Sequence, residues 1–170
     1  MRSSRIAVSA FAVAALAASG LSAQQKSLND QLIGTWNLVS WEQTRPDGSK
    51  SQRFGANPKG VQVFDANGRF YLMMARPDLP KFAASDPMKA TPEEATQIVQ
   101  GSLAYFGTYT VNEGDKTINL RMESSTFPNQ VGGEQQRVIE SLSGDELRYA
   151  TTRSISGAGN RNTFVWKKAN

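Results

Sequence analysis

Apolar residues recur with period two along most of the chain, in short runs that end at Gly, Asn, Asp or Pro. This alternation is typical of strands that bury one face, and the residues between the runs favour turns. The pattern predicts eight strands, at approximately residues 35–43, 60–64, 69–75, 104–111, 117–124, 135–142, 146–153 and 162–168.

One segment, TPEEATQIVQGS, departs from the alternation. Thr91 is suited to be an N-cap, Pro92 to the first helical position, two Glu residues to the first turn and Gly101 to the helix end. These features predict one helix, inserted between strands 3 and 4.

The connections alternate strictly between short and long. DANG, NEGDK and SGD supply residues that tolerate the positive φ of tight hairpins, whereas residues 44–59, 76–103, 125–134 and 154–161 form long connections. If neighbouring strands pair antiparallel in sequence order, all long connections lie at one end of the sheet. We therefore predict an all-β fold, an eight-stranded antiparallel up-and-down barrel, with the long loops around its mouth.

The first residues resemble an export signal. Arg2 and Arg5 precede the apolar run IAVSAFAVAALAA, and LSA offers small residues before a cut after Ala23. The run is shorter than the roughly 20 residues that cross a bilayer, so no integral membrane association is expected. We expect a signal peptide at 1–23, a lead-in at 24–31, a barrel domain at 32–168, and a periplasmic or secreted protein.

Composition restricts the chemistry. The sequence has 19 basic residues, of which 17 remain when Arg2 and Arg5 are removed; against 15 acidic residues this leaves a net charge of +2. Because this charge is small and the basic residues are scattered along the chain, no nucleic-acid binding is expected. The chain has no His and no Cys, which excludes disulfides, the usual triads and most zinc, copper and iron sites. Carboxylate sites for calcium or magnesium remain open, but no DxDxDG loop occurs. We expect no metal and no cofactor.

Four segments together resemble the bacterial lipocalin-like domain family: LIGTWNLVSWE, GANPKGVQVFDANGRFYLMMARPD, TPEEATQIVQGSLAYFGTYTVNE and SSTFPNQVGGEQQR. The resemblance covers about residues 32–167 and implies a calycin-type single-domain barrel in a family of mostly unassigned function. Relatives often carry His in the strand that reads TINLRMES here. Lipocalins in the wider sense stack an Arg over the Gly-x-Trp indole; here Lys167 or Lys168 would take that position over Trp36.

Period two places one set of side chains of the first strand on a common face: Trp36, Leu38, Ser40 and Glu42. If Trp36 fills the narrow end, Glu42 lies about 20 Å further on, near the mouth, at ~3.4 Å per residue. An interior carboxylate needs a partner, because desolvation disfavours its charged form. The candidate partners are Arg76, Arg137 and Arg161.

Two functions are open, and the sequence favours the first. One is the binding of a small apolar or amphipathic molecule in the lumen. The other is a cofactor-independent enzyme of the isomerase or cyclase type, with Glu42 as general acid or base and Tyr105 or an Arg stabilising negative charge. The predicted ligand-binding residues are Trp41, Glu42, Met74, Arg76, Tyr105, Phe127, Asn129, Arg137 and Arg161.

Simpler roles remain open for several of these side chains. Trp41 and Phe127 could only pack, and Arg76 could pair locally with Asp78. Period two also leaves open whether Tyr105, Gly107 and Tyr109 face inward, or instead Phe106, Thr108 and Thr110.

Overall fold

The computed structural model describes residues 26–151 and 159–169. Two α-helices, two short 3-10 helices and nine strands lie within these ranges. In chain order they are α1 (Leu28–Leu32), β1 (Gly34–Thr44), β2 (Lys50–Gln52), β3 (Lys59–Phe64), β4 (Arg69–Ala75), the 3-10 helix Pro87–Lys89, α2 (Pro92–Gly101), β5 (Ser102–Asn112), β6 (Thr117–Ser125), the 3-10 helix Pro128–Gln130, β7 (Glu134–Ser143), β8 (Glu146–Thr151) and β9 (Arg161–Lys168).

The strands close into a barrel. From β3 to β9 each strand pairs antiparallel with the next, and β9 returns to pair with β1, which itself pairs with β3. These eight strands confirm the predicted antiparallel up-and-down barrel, because closure pairs both edges of the sheet.

The helical insertion lies between β4 and β5 and not between strands 3 and 4 as predicted, because one additional strand precedes it and shifts the count by one. The additional strand is β2, which pairs with the mouth end of β1 and lies within the first long connection. Its sequence, KSQ, has no apolar alternation and is only three residues long. Period two therefore could not reveal it.

Helix α2 begins as its sequence predicts. Thr91 Oγ1 accepts a hydrogen bond from the Glu94 amide at 3.2 Å, and Glu94 Oε2 accepts one from the Thr91 amide at 2.9 Å. This capping box satisfies two amides that a helix start leaves without partners. The helix ends at Gly101, where a Cβ would lie 2.8 Å from Nε of Arg76 and closer still to Leu79.

The two ends of the barrel differ as predicted. The first three long connections meet at one end, where Phe54, Val99 and Phe127 line a common cavity. At the other end the tight turns join neighbouring strands; between β3 and β4, for example, the Asp65 amide donates to the Arg69 carbonyl at 2.9 Å. The predicted signal peptide and residues 152–158 of the fourth long connection lie outside the described residues.

A β-bulge changes the direction of the side chains in β1. The pairing of β1 with β9 shifts register between Leu38 and Ser40, and Val39 at this point is 49% exposed. The buried positions therefore change from Trp36 and Leu38 to Trp41 and Gln43. One extra residue in a strand moves every later side chain to the opposite face.

Candidate functional site

Glu42 lies on the outer face of the barrel, so its predicted place in the interior is wrong. Its carboxylate is 2.9 Å from Nζ of Lys50 on β2, and both side chains are substantially exposed, Glu42 by 37%. The bulge before it is the physical reason, since period two holds only in an uninterrupted strand.

Two of the arginines predicted to pair with Glu42 have other partners. Arg161, on β9, hydrogen-bonds Glu140 on the outer surface, and Arg148 approaches the same carboxylate to 2.7 Å. Partial burial would raise the pKa of Glu140, but the hydrogen bonds from the two arginines outweigh it and hold that pKa below its usual value. Arg76 lies 3.4 Å from Asp78, the local pair that its sequence also allowed.

A cavity of about 300 Å³ opens at the mouth of the barrel. Its lining is mostly apolar and comes from β1, β5 and three long connections. The residues that define it are Trp41, Phe54, Val99, Leu103, Thr126 and Phe127. Of the predicted ligand-binding residues, Trp41 and Phe127 line this cavity, whereas Asn129 is exposed on the 3-10 helix Pro128–Gln130.

Trp41 forms the boundary between this cavity and the interior. Its ring meets Phe54 edge-on at 4.7 Å and stacks on Phe164 at 5.1 Å between centroids. Its Nε1 donates to Oδ1 of Asn162 at 2.9 Å, and the guanidinium of Arg53 lies 5.4 Å above the ring. These contacts on both sides hold the indole in one orientation, which favours a preformed cavity wall.

The inward face of β5 carries Tyr105, Gly107 and Tyr109, all buried. Phe106, by contrast, is 39% exposed. The structure therefore resolves the choice that period two left open. Met74 is also buried within the barrel core, but it is not among the residues that line the mouth cavity.

Behind the mouth, the interior holds a chain of polar side chains. Arg137, 2% exposed, donates from Nη2 to the Tyr105 hydroxyl at 3.1 Å and to Gln135 Oε1 at 2.7 Å. Its guanidinium lies 5.9 Å from the Tyr149 ring, and the Tyr149 hydroxyl donates to Gln62 Oε1 at 2.6 Å. Polar groups at this depth can fix the orientation of a ligand.

Complete burial, together with the nearby Tyr105, raises the pKa of Tyr149 well above its usual value. The Tyr149 hydroxyl therefore remains protonated near neutral pH. In the interior it acts as a hydrogen-bond donor toward Gln62 and does not carry charge.

Several of these side chains were missed from the sequence. Phe54 is an isolated aromatic residue in a polar loop, and an aromatic side chain in such surroundings could have indicated that this loop packs against the barrel. Gln62 shares the alternation of Phe64 and so could have been placed inward, although the neighbouring valines in VQVF suggest the opposite face. Tyr149 alternates with Leu147 in β8, and both are fully buried.

A second apolar groove, of about 360 Å³, lies on the outside of the barrel. Exposed side chains of β3, β4 and β5 form it, and Tyr71 stacks on Phe106 there at 6.2 Å between centroids. None of the predicted ligand-binding residues except Tyr105 borders this groove.

The described residues offer no group of three or more metal-ligating side chains. Within the same ranges, each helix is too short or too polar to cross a membrane.

One protein family and two solved structures are similar to the chain. The family described as "Lipocalin-like domain" matches residues 33–169. No curated protein matches the chain. Among solved structures, a redesigned β-barrel is 13% identical, with a TM-score of 0.42 over 85% of this chain and 100% of that chain. The structure of EF1p2_mFAP2b bound to DFHBI is 14% identical, with a TM-score of 0.42 over 82% of this chain and 95% of that chain.

Proposed function

Because the chain belongs to the lipocalin-like domain family, we propose that it binds a small, largely apolar molecule through the mouth of its barrel. The mouth cavity carries this proposal. Its volume of about 300 Å³ is at the lower end of small-molecule sites, which are also mostly apolar with a few polar groups behind them. The expected ligand is accordingly small.

The position of the cavity supports the same function. Loops on a rigid barrel commonly form binding sites, and here three long connections supply Phe54, Val99 and Phe127. Trp41, which stacks on Phe164, forms another part of the lining. An apolar ring entering the cavity would contact aromatic side chains on several sides.

An enzyme that uses Glu42 in the interior is not proposed. The Glu42 carboxylate points away from the mouth cavity and is paired with Lys50. A general acid or base must reach the reacting proton, and an outward side chain does not reach a ligand in the barrel.

The direct test is titration of the protein with N-phenyl-1-naphthylamine, a neutral aromatic dye, following dye emission and the tryptophan fluorescence. Phe127→Ala removes a ring from the mouth cavity and Phe106→Ala removes one from the outer groove. The two residues are matched, because Phe127 is 41% and Phe106 39% exposed. We expect saturable binding that Phe127→Ala weakens about tenfold, as for the loss of ~1.4 kcal/mol, and that Phe106→Ala leaves unchanged.

Absence of saturable binding, or weakening by Phe106→Ala alone, would refute the proposed site. The second result would place the dye in the outer groove instead. Circular dichroism of both variants verifies that the barrel remains folded.

We further propose that the protein is exported and that residues 1–23 are removed after Ala23. The positive, apolar and small-residue regions of this segment support export. N-terminal sequencing of protein recovered from the periplasm or the medium should begin at Gln24. A chain that retains Met1 would contradict the proposal.

A further inference from the structure

Arg137 is the only buried charged side chain among residues 26–151 and 159–169. A guanidinium has five N–H groups, and the two hydrogen bonds from Nη2, to Tyr105 and Gln135, occupy two of them. The remaining three, on Nε and Nη1, are buried with no hydrogen-bond partner among the described residues. Buried charges are normally paired and fully hydrogen-bonded, so this arrangement is incomplete.

No Asp or Glu side chain supplies the missing anion. All 15 acidic residues of the sequence lie within the described ranges, since residues 1–25, 152–158 and 170 contain no Asp or Glu. None of the ion pairs formed by these acidic residues includes Arg137. Tyr149, the aromatic ring near the guanidinium, stays protonated and therefore offers no negative charge.

The other unpaired polar atoms close to this chain of side chains are donors as well. Nε2 of Gln62 and Nε1 of Trp166 are buried without a hydrogen bond of normal geometry. Both residues contact Tyr149, Gln62 by accepting a hydrogen bond and Trp166 by stacking, and the Trp166 and Arg137 side chains both act to lower the pKa of the Tyr149 hydroxyl against the larger effect of burial. A set of unpaired donors around one positive charge is complementary to acceptor oxygens that carry a negative charge. Water could satisfy the donors, but it would not neutralise the charge.

We propose that the ligand is an amphipathic organic monoanion, such as an aromatic or medium-chain carboxylate, whose oxyanion pairs with Arg137. This inference rests on the proposed binding function and adds the chemical class of the ligand. One buried positive charge matches one negative charge; a dianionic phosphate would retain a charge without a partner.

The separation between the carboxylate and the apolar part of such a ligand can be estimated along β5. Leu103 lines the mouth cavity, and Tyr105, the partner of Arg137, is two residues deeper on the same inward face. At ~3.4 Å per residue this separation is about 7 Å. The apolar body therefore occupies the mouth cavity while the carboxylate points inward. Because Nε and Nη1 are shielded in the free chain, binding includes a rotation of the Arg137 side chain toward the cavity.

The experiment is displacement of bound N-phenyl-1-naphthylamine by 2-naphthoate and by 2-naphthamide, which share a ring system and differ in charge. We expect the carboxylate to displace the dye at an about 10- to 100-fold lower concentration than the amide, because hydrogen bonds to charged groups are the stronger ones. Displacement by neither compound, or equally by both, overturns the inference. The proposed function fails separately, if the neutral dye itself does not bind.

Arg137→Met tests the residue. It should bring the concentration ratio of the two compounds close to one and raise the melting temperature of the free protein, because replacing an incompletely paired buried charge by an apolar side chain is often stabilising. Arg121→Met is the control, because it removes the same charge from an exposed position on β6. It should leave the concentration ratio of the two compounds unchanged. A ratio that persists in folded Arg137→Met overturns the assignment. If that variant does not fold, the inference is tested by Arg137→Lys and by the displacement of the dye from the wild-type protein by 2-naphthoate and 2-naphthamide.

Discussion

The ammonium nitrogen of Lys168 lies 5.0 Å from the centroid of the Trp36 ring. The same nitrogen donates to the Gln31 carbonyl at 3.0 Å, and Trp36 Nε1 donates to the Leu32 carbonyl at 2.7 Å. These contacts join β1, β9 and α1 at the narrow end. Of the two lysines that the sequence offered, Lys168 makes the contact, whereas Lys167 points outward.

Truncation of the indole should strongly destabilise the protein. Trp36 is fully buried beside Leu32, so Trp36→Ala removes apolar contacts and leaves a cavity. We expect a loss of about 3–5 kcal/mol in the free energy of unfolding, measured by urea denaturation. A loss below about 1 kcal/mol would show that Trp36 is not part of the core.

Removal of the ammonium over the indole should have a small effect. Lys168→Met keeps the apolar stem and loses the cation–π contact and the hydrogen bond to Gln31. We expect a loss of about 0.5–1.5 kcal/mol in the free energy of unfolding. Lys167→Met is the control, because its partner Asp145 is 3.3 Å away at an exposed site; equal losses in the two variants would contradict the assigned role of Lys168.

The barrel could be predicted because its signals are local. Alternation in β4, with Phe70, Leu72 and Met74 buried and Tyr71 and Met73 exposed, directly reflects a sheet with one buried face. The turn residues of DANG likewise determine a tight hairpin through their own conformational preferences, with Gly68 at φ 77°. Each of these features requires only a few neighbouring residues.

The candidate site was predicted only in part because it depends on register and on contacts between distant segments. A single extra residue near Val39 moved Trp41 inward and Glu42 outward. The link between Arg137 and Tyr105 joins residues 32 apart in sequence. Local alternation suggests which side chains face inward, but not which of them meet.

Glu42 should contribute little to stability or binding. Its pair with Lys50 is largely exposed, and exposed pairs are usually worth about 0–1 kcal/mol. We expect Glu42→Gln to change the free energy of unfolding by less than about 1 kcal/mol and to leave the affinity for N-phenyl-1-naphthylamine unchanged. Tenfold weaker dye binding by Glu42→Gln would instead show that Glu42 contributes to the binding site.

The stability contribution of Glu140 should depend on pH in a defined direction. Because its pKa is lower in the folded chain than its usual 4.5, the unfolded chain binds the proton more tightly. The contribution is therefore fully present above pH 4.5 and is lost as the pH falls through the folded pKa. Relative to Glu140→Gln, the wild type should be more stable at neutral pH, by about 1 kcal/mol for a surface network. This difference in the free energy of unfolding should vanish on acidification. A difference that grows toward low pH would contradict the predicted direction of the pH dependence.

Gly107 should tolerate no side chain, because the backbone of β6 occupies the space of a Cβ. A Cβ at Gly107 would lie 1.9 Å from the Arg121 carbonyl oxygen and 3.1 Å from the Glu123 amide nitrogen, at a point where the pairing of β5 and β6 shifts register. Both obstacles are backbone atoms in a closed sheet, so they cannot move aside as a flexible side chain would. We expect Gly107→Ala to lower the free energy of unfolding by about 3 kcal/mol.

Gly114→Ala is the matched control for that substitution. It lies in the turn after β5, and its Cβ would meet Asn112 Oδ1 at 3.4 Å, an ordinary contact. This change should be neutral or stabilise by up to about 1 kcal/mol, because Ala restricts the unfolded chain. Urea denaturation of both variants measures the difference. If Gly107→Ala were as stable as Gly114→Ala, the two strands would have to be further apart at residue 107, and the bulge opposite it would not exist in solution.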